Sequence, residues 1–131
     1  MTQDQLPLVA MPSMNDTHLE EMLIINQLQS VAEAGEIEKT INVLKELQKH
    51  TKDHFSNEES MMQEANFPAY EVHKAEHDRH LGELQSVLNY FQKHQDPLAI
   101  VSYINGTLVS WLTHHIQTMD TMTATFLTQG S

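Results

Sequence analysis

The chain has 131 residues and a formal net charge of -11, from 18 acidic against 7 basic residues. A chain of this length forms one domain, and its acidic charge excludes nucleic acid and anionic membranes as partners, since both require basic patches. Cysteine is absent, which excludes disulfides and thiolate metal sites and leaves nine histidines as the nitrogen donors for a metal.

Prolines and glycines divide the chain into four predicted helices, preceded by an N-terminal arm of about a dozen residues that we expect to be loosely ordered. Ser13 and Asp16, directly after Pro12, resemble a capping box that opens the first helix, and Gly35 closes it in a left-handed cap. The second helix runs from about residue 36 to about residue 65.

Two segments that pair a capping side chain with a proline, residues 66–68 and 96–97, open the third and fourth helices. The third helix ends near His94. Connections this short turn each helix back beside its predecessor. The sequence therefore predicts an all-α fold, an antiparallel up-down-up-down four-helix bundle with a short N-terminal arm. It forms a single domain over residues 1–131, with the bundle at about 13–128.

Histidine and carboxylate side chains interrupt the apolar stripe of every predicted helix. On the second and third helices they are four residues apart, which places both members of a pair on one face. On the fourth helix they are five residues apart, which in an α-helix turns the second by about 140° from the first. The seven candidate ligands are His18 on the first helix, His54 and Glu58 on the second, His73 and His77 on the third, and His115 and Asp120 on the fourth.

In an antiparallel bundle all seven candidates lie at the same end, within roughly 10 Å of one level. Two buried carboxylates with no basic residue in the seams are costly unless a cation neutralises them. The sequence therefore predicts a site for two divalent ions, with the carboxylates as bridges and five imidazoles as terminal ligands. We expect His50 and His94 at the surface, His114 either exposed or next to the ligands, and Glu21 and Glu59 on solvated acidic faces.

The order His, His-x-x-x-Glu, His-x-x-x-His, His-x-x-x-x-Asp resembles the hemerythrins, with Phe67-Pro68 before the third motif and Trp111-Leu112 before the fourth. The resemblance covers residues 18–120. It implies a non-heme diiron centre with an oxo or hydroxo bridge that binds dioxygen reversibly, as an oxygen carrier, store or sensor and not as an enzyme. It also implies the role of each candidate ligand. One iron would be bound by His73, His77 and His115, the other by His18 and His54, and Glu58 and Asp120 would bridge the two.

The resemblance also identifies residues around the expected dioxygen site. The predicted pocket wall consists of the apolar side chains Ile25, Trp111, Leu112 and Ile116. Three positions depart from the family pattern: Asn15 replaces an Asp, His80 replaces a Phe, and Thr123 replaces an aromatic residue. If His80 faces the pocket, its imidazolium can donate a proton to the oxygen ligand at acidic pH. The alternative is that its side chain rotates outward.

Two other functions stay open at the level of sequence, a diiron oxidase or peroxidase and an iron-binding or storage protein. The Glu-x-x-His motifs of ferritin-like oxidases do not occur in the chain. The N-terminus does not resemble a signal peptide and no apolar run could span a bilayer, so we expect a cytoplasmic protein. The expected partners are dioxygen and an oxygen-consuming enzyme, and the acidic surface favours a monomer.

Overall fold

Four helices joined by short turns form the fold in the computed structural model, which describes residues 1–129. Helix α1 packs against α2 and α4, and α3 packs against the same two helices. The predicted all-α four-helix bundle is confirmed, and residues 1–129 contain no β-strand. Gly130 and Ser131, the end of the predicted domain, lie outside the described residues. The helices are α1 (Pro12–Glu33), α2 (Ile37–Glu64), α3 (Tyr70–His94) and α4, which runs over 97–129 in the segments Pro97–Tyr103, Ile104–Leu108, Val109–His115, Ile116–Asp120 and Thr121–Gln129.

Two of the predicted helix ends have the expected local structure. Gly35 follows α1 with φ of 73°, the left-handed conformation that glycine adopts without steric cost. Asp96 precedes α4, and its carboxylate accepts a hydrogen bond from the amide of Leu98 at 3.2 Å. This bond satisfies one of the free amides at the start of the helix, and Pro97 takes the first helical position, where no amide is needed.

The other two predicted caps are wrong. Helix α1 begins at Pro12 after Met11 and has no side-chain cap, so Ser13 lies inside the helix and does not cap it. Asn66 ends α2 instead of opening α3. Its backbone is left-handed, with φ of 53°, and the next amide, that of Phe67, donates to the carbonyl of Met62 at 2.9 Å. Asparagine tolerates this conformation better than most residues, which explains its position after the helix.

The N-terminal arm is attached to the bundle, so the expectation of loose order is wrong for the residues that hold it. The side chain of Asn15 on α1 accepts from the amide of Val9 and donates to its carbonyl, both at 2.9 Å. Val9 is only 8% exposed. The amino group of Met1 donates to Asn26 at 3.2 Å. A side-chain amide can satisfy a backbone donor and acceptor together, and this pairing anchors the arm to α1.

The buried positions of α4 recur at every fourth residue. In an α-helix four residues turn by about 400°, so a stripe with this spacing would drift by about 40° at each step. Two π-helical turns, Ile104–Leu108 and Ile116–Asp120, each accommodate one extra residue and return the stripe to the core. The buried stripe consists of Ile100, Ile104, Leu108, Leu112, Ile116, Asp120 and Ala124.

The second π turn lies between the two predicted ligands of α4. Because its hydrogen bonds join residues five apart, it brings His115 and Asp120 into the interior together. The predicted rotation of about 140° between them is wrong because it assumed an α-helix over this segment.

The apolar core fills the end of the bundle opposite the predicted ligands and extends along α4 to Leu112 and Ile116 beside His115. Large side chains from all four helices meet there and are almost completely buried, each burial stabilising the fold by about 1.5–3 kcal/mol. The central members of this core are Leu28 on α1, Leu47 on α2, Phe91 on α3 and Ile104 on α4.

Among residues 1–129, no helix is both long and apolar enough to cross a membrane.

Candidate metal centre

All seven predicted ligands lie in the interior at one end of the bundle. None of them is more than 8% exposed. Their donor atoms form two groups, and within each group the atoms lie within 4.8 Å of one another. The structure therefore brings together every ligand that the sequence predicted. The first group is His73, His77, His115 and Asp120, and the second is His18, His54 and Glu58.

The carboxylate of Glu58 connects the two groups through its two oxygens. Oε2 contacts Nε2 of His54 in its own group. Oε1 faces the other group, at 3.4 Å from Nε2 of His77 and 3.7 Å from Nε2 of His73. Glu58 therefore directs one oxygen toward each set of histidines.

Asp120 has the same relation to the two groups from the opposite side of the bundle. Its Oδ1 lies 3.2 Å from Nε2 of His73 and 3.2 Å from Nε2 of His115. Its Oδ2 lies 3.0 Å from Nε2 of His18 in the other group. The two carboxylates thus span the space between the histidine groups, with one oxygen of each available on either side.

The histidines and carboxylates shift each other's charge states in the protein without metal. Burial favours the neutral form of Asp120, but the adjacent imidazoles, His115 first, outweigh it and hold the pKa of this carboxyl well below its ordinary value. Burial also favours neutral His54, but contact with the Glu58 carboxylate raises the pKa of His54 to about 9. Without a metal, Asp120 therefore stays ionised, and the Glu58 carboxylate favours the protonated form of His54.

Several buried atoms of the cluster have no protein partner with hydrogen-bond geometry, namely Nε2 of His77, Oε1 of Glu58 and both carboxylate oxygens of Asp120. Buried polar atoms rarely remain unpaired. In the part of the chain that the structure describes, no Lys or Arg nitrogen lies within 4.0 Å of either carboxylate. Imidazole nitrogen and carboxylate oxygen, without thiolate, are donors that suit non-heme iron. The residues present therefore fit iron.

The sequence profile of the hemerythrin HHE cation binding domain matches residues 12–127. The chain belongs to the hemerythrin family. It is 34% identical over 111 residues to a bacteriohemerythrin of Aquifex aeolicus (strain VF5), covering 85% of each chain. It is 30% identical over 102 residues to a bacteriohemerythrin of Ralstonia nicotianae, covering 78% of this chain and 72% of the relative.

The chain also matches a myohemerythrin over a shorter segment. The chain is 34% identical over 89 residues to a myohemerythrin of Sipunculus nudus, covering 66% of this chain and 59% of the relative. The predicted resemblance to the family is confirmed, and with it the function class of dioxygen binding at a non-heme iron centre.

Two side chains of this hemerythrin that the sequence motifs did not identify contact the outer ring nitrogens of two candidate ligands. Nδ1–H of His77 donates to Oε2 of Glu59 at 3.0 Å, and Nδ1 of His73 lies 2.8 Å from Oγ1 of Thr123. Such partners fix the orientation and the tautomer of a ligand imidazole. The expectation that Glu59 belongs to a solvated face is wrong, because its side chain is only 17% exposed and lies against α3.

A further acidic residue is also buried against expectation. Glu21 is 3% exposed, and its Oε1 accepts a hydrogen bond from Oγ1 of Thr51 at 2.9 Å. The adjacent Glu20 is at the surface and contacts Nε2 of His50 at 3.2 Å. His50 is therefore partly covered by α1, whereas His94 and His114 are exposed as predicted. The packing of α1 on α2 therefore decides the burial of Glu21 and His50.

Three of the four predicted pocket-wall residues are in the interior, and three of the four are close to His115 along α4. Ile25, Leu112 and Ile116 are at most 2% exposed and belong to the apolar core, and the last two flank His115 along α4. Trp111 is partly buried, and its ring stacks on His115 with 4.7 Å between ring centres and 13° between planes. The contact of these residues with dioxygen stays a prediction.

His80 is buried but does not reach the candidate ligands. Its ring stacks on Trp111 at 3.7 Å between centres, so Trp111 separates it from His115, while Phe55 lies between it and His77. Burial and then the charge of Arg79 lower the pKa of His80 to about 3. The expectation that an imidazolium at this position donates a proton at mildly acidic pH is therefore wrong. So is the alternative of an outward side chain.

His80→Phe is expected to make the stability of the iron-free protein less sensitive to acid. Below its ordinary pKa of 6.5 the unfolded chain protonates His80, whereas the folded chain does so only near pH 3. The wild type therefore loses stability as the pH falls through this interval, on the order of 2 kcal/mol by about pH 5, and the Phe variant does not. Urea unfolding at about pH 7.5 and about pH 5 measures the difference.

His94→Phe is the matched control, because His94 is exposed and should leave the acid sensitivity unchanged. If the wild type and His80→Phe lose the same stability between the two pH values, then His80 is not held neutral by the fold.

Proposed function

We propose that this hemerythrin binds dioxygen reversibly at two iron ions and serves as an oxygen carrier, store or sensor. The observation that carries the proposal is the position of the two carboxylates. Glu58 and Asp120 each direct one oxygen to the group containing His18 and the other to the group containing His73. Carboxylates in this arrangement suit two ions that share both of them as bridges.

The two histidine groups are unequal, and this difference supports one site for dioxygen. Three imidazoles, those of His73, His77 and His115, face the first position. Two imidazoles, those of His18 and His54, face the second. An ion with fewer protein ligands keeps a position open for a small molecule. Two ferrous ions would supply the electrons that hold dioxygen there, within an oxo- or hydroxo-bridged centre.

The surroundings of the cluster support binding in preference to catalysis. Leu112 and Ile116, which flank His115 along α4, are buried in an apolar core that also contains Ile25, and apolar surroundings limit the access of water. His80, the expected proton donor, is neutral and separated from the ligands by Trp111. We therefore propose a non-enzymatic protein. We also propose that it acts in the cytoplasm as a monomer, which its acidic charge favours, with an oxygen-consuming enzyme as its partner if it serves as a carrier or store.

Oxygen cycling tests this function against the oxidase and storage alternatives. The protein is loaded with ferrous iron under anaerobic conditions, and its visible spectrum is recorded through alternate exposure to dioxygen and vacuum. We expect a charge-transfer band that appears with dioxygen, disappears under vacuum and returns on the next cycle. The exposed His94→Ala variant should behave in the same way. Direct passage to the diferric form with catalytic consumption of a reductant would instead indicate an oxidase.

A further inference from the structure

The side chain of Thr123 lies behind one of the candidate ligands. Thr123 is fully buried at the start of the last segment of α4, three residues after Asp120. Its Oγ1 is 2.8 Å from Nδ1 of His73. The other ring nitrogen of His73, Nε2, lies 3.2 Å from Oδ1 of Asp120 and 3.3 Å from Nε2 of His115. The hydroxyl and the candidate metal position are thus on opposite sides of one imidazole.

We propose that Thr123 is a positioning residue whose hydroxyl orients the His73 ring and accepts its Nδ1 proton when Nε2 binds metal. The inference rests on the proposed function, since it requires His73 to be a ligand. A neutral imidazole carries one N–H, so binding through Nε2 requires the proton on Nδ1. In this interior, Oγ1 of Thr123 is the atom that accepts it. A buried Nδ1–H without an acceptor would weaken metal binding.

A hydroxyl suits this position because it can both accept and donate. When it accepts from His73, its own hydrogen has the sulfur of Met62 within reach, at 3.9 Å. When the proton of His73 is instead on Nε2, the same hydroxyl can donate to Nδ1. Thr123 therefore matches His73 both with and without a metal, whereas a carboxylate at this position could only accept.

The outer nitrogens of the candidate ligands are not treated alike. Nδ1 of His77 donates to the carboxylate of Glu59 at 3.0 Å, whereas Nδ1 of His73 contacts the neutral hydroxyl of Thr123. A carboxylate partner makes an imidazole the stronger donor to metal, and a hydroxyl orients it with less added charge. Nδ1 of His18 and Nδ1 of His54 are buried without a partner among the described residues. Thr123 thus gives His73 an orienting partner at Nδ1 that His18 and His54 do not have among the described residues.

The test compares two substitutions that differ in one group. Thr123→Val keeps the branched shape and removes the hydroxyl, and Thr123→Ser keeps the hydroxyl. Ferrous iron affinity is measured anaerobically by competition with a chelator. We expect binding about 10–100-fold weaker in Thr123→Val, and affinity within about threefold of wild type in Thr123→Ser. Thermal unfolding of the iron-free proteins verifies that each variant is folded.

The second measurement reports the tautomer of His73 directly. In protein loaded with zinc, a diamagnetic probe ion, nitrogen-resolved NMR detects an exchange-protected Nδ1–H in the wild type and in Thr123→Ser. In Thr123→Val this proton should exchange faster with solvent. A change that acts through packing alone would not follow the hydroxyl in this way.

Each outcome decides the inference. If Thr123→Val binds ferrous iron as tightly as the wild type and keeps the protected proton, Thr123 has no positioning role, and the proposed function is unaffected. If Thr123→Ser loses as much affinity as Thr123→Val, packing and not the hydroxyl is responsible, which also overturns the inference. A wild type that binds no ferrous iron would overturn the proposed function and this inference together.

Discussion

Asp120→Ala is expected to remove most of the iron from the purified protein. The reason is that Asp120 serves both histidine groups, with Oδ1 3.2 Å from Nε2 of His115 and Oδ2 3.0 Å from Nε2 of His18. Alanine therefore takes a donor atom from each proposed ion, in a buried position where a replacement water would lack other partners. Iron per chain, measured by elemental analysis after anaerobic loading and desalting, should fall from about two to well below one.

Single-histidine variants sharpen this test. His54→Ala and His77→Ala each remove a donor from one group only, so each should lower the iron content while leaving the other position more occupied than in Asp120→Ala. His94→Ala and His50→Ala are the controls, because both side chains lie outside the two groups. Full iron content in all three ligand variants would show that these residues do not hold the metal.

Iron is also expected to stabilise the folded chain strongly. A ligand that binds only the folded state contributes about 4 kcal/mol when its free concentration is about 1,000 times its Kd. For a chain of this size that is a rise on the order of 10 °C in the midpoint of thermal unfolding. Circular dichroism melts with and without ferrous iron, under anaerobic conditions, measure the shift.

The double variant Glu58→Gln, Asp120→Asn separates the contribution of charge from that of shape. Both amides keep the size of the side chains they replace but cannot bridge two cations as carboxylates do, so iron should no longer raise the midpoint. The iron-free variant should be less stable than the iron-free wild type, because it loses the ionised carboxylates that pair with His54 and with the imidazoles around Asp120. The iron-dependent shift is therefore measured against each protein's own iron-free midpoint. Glu20→Gln, an exposed change, is the control. An undiminished iron-dependent shift in the double variant would refute the bridging assignment.

The spacing of ligand-type residues was sufficient to predict the candidate metal centre. Pairs such as His73 and His77 are four residues apart, a local relation that an α-helix converts into one face whatever surrounds it. Short connections between long helices then align one end of each, and the seven donors meet at that end as predicted. The apolar side chains beside them, Leu112 and Ile116, were also assigned correctly to the interior.

Apart from the helix caps at Ser13 and Asn66, the wrong predictions about the site concern features that depend on neighbouring helices. Asp120 was predicted to lie about 140° around the helix from His115 because the segment was assumed to be an α-helix, whereas a π turn forms where core packing requires an extra residue to be accommodated. The sequence did contain one signal, because apolar residues recur at every fourth position of α4 and a regular α-helix would turn some of them out of the core. Glu59 was predicted to be solvated because its partner, His77, lies on another helix.

Motif order and composition alone establish the family, the helical class and the set of donor atoms, since these follow from residue identity and short-range helical geometry. Charge states and orientations follow only from the packed interior. Burial beside Trp111 makes His80 a neutral core residue in place of a proton donor, and the contact of α3 with α4 supplies His73 with the hydroxyl of Thr123. The physical reason is that desolvation and hydrogen-bond partnership are properties of the space between helices, which no single segment encodes.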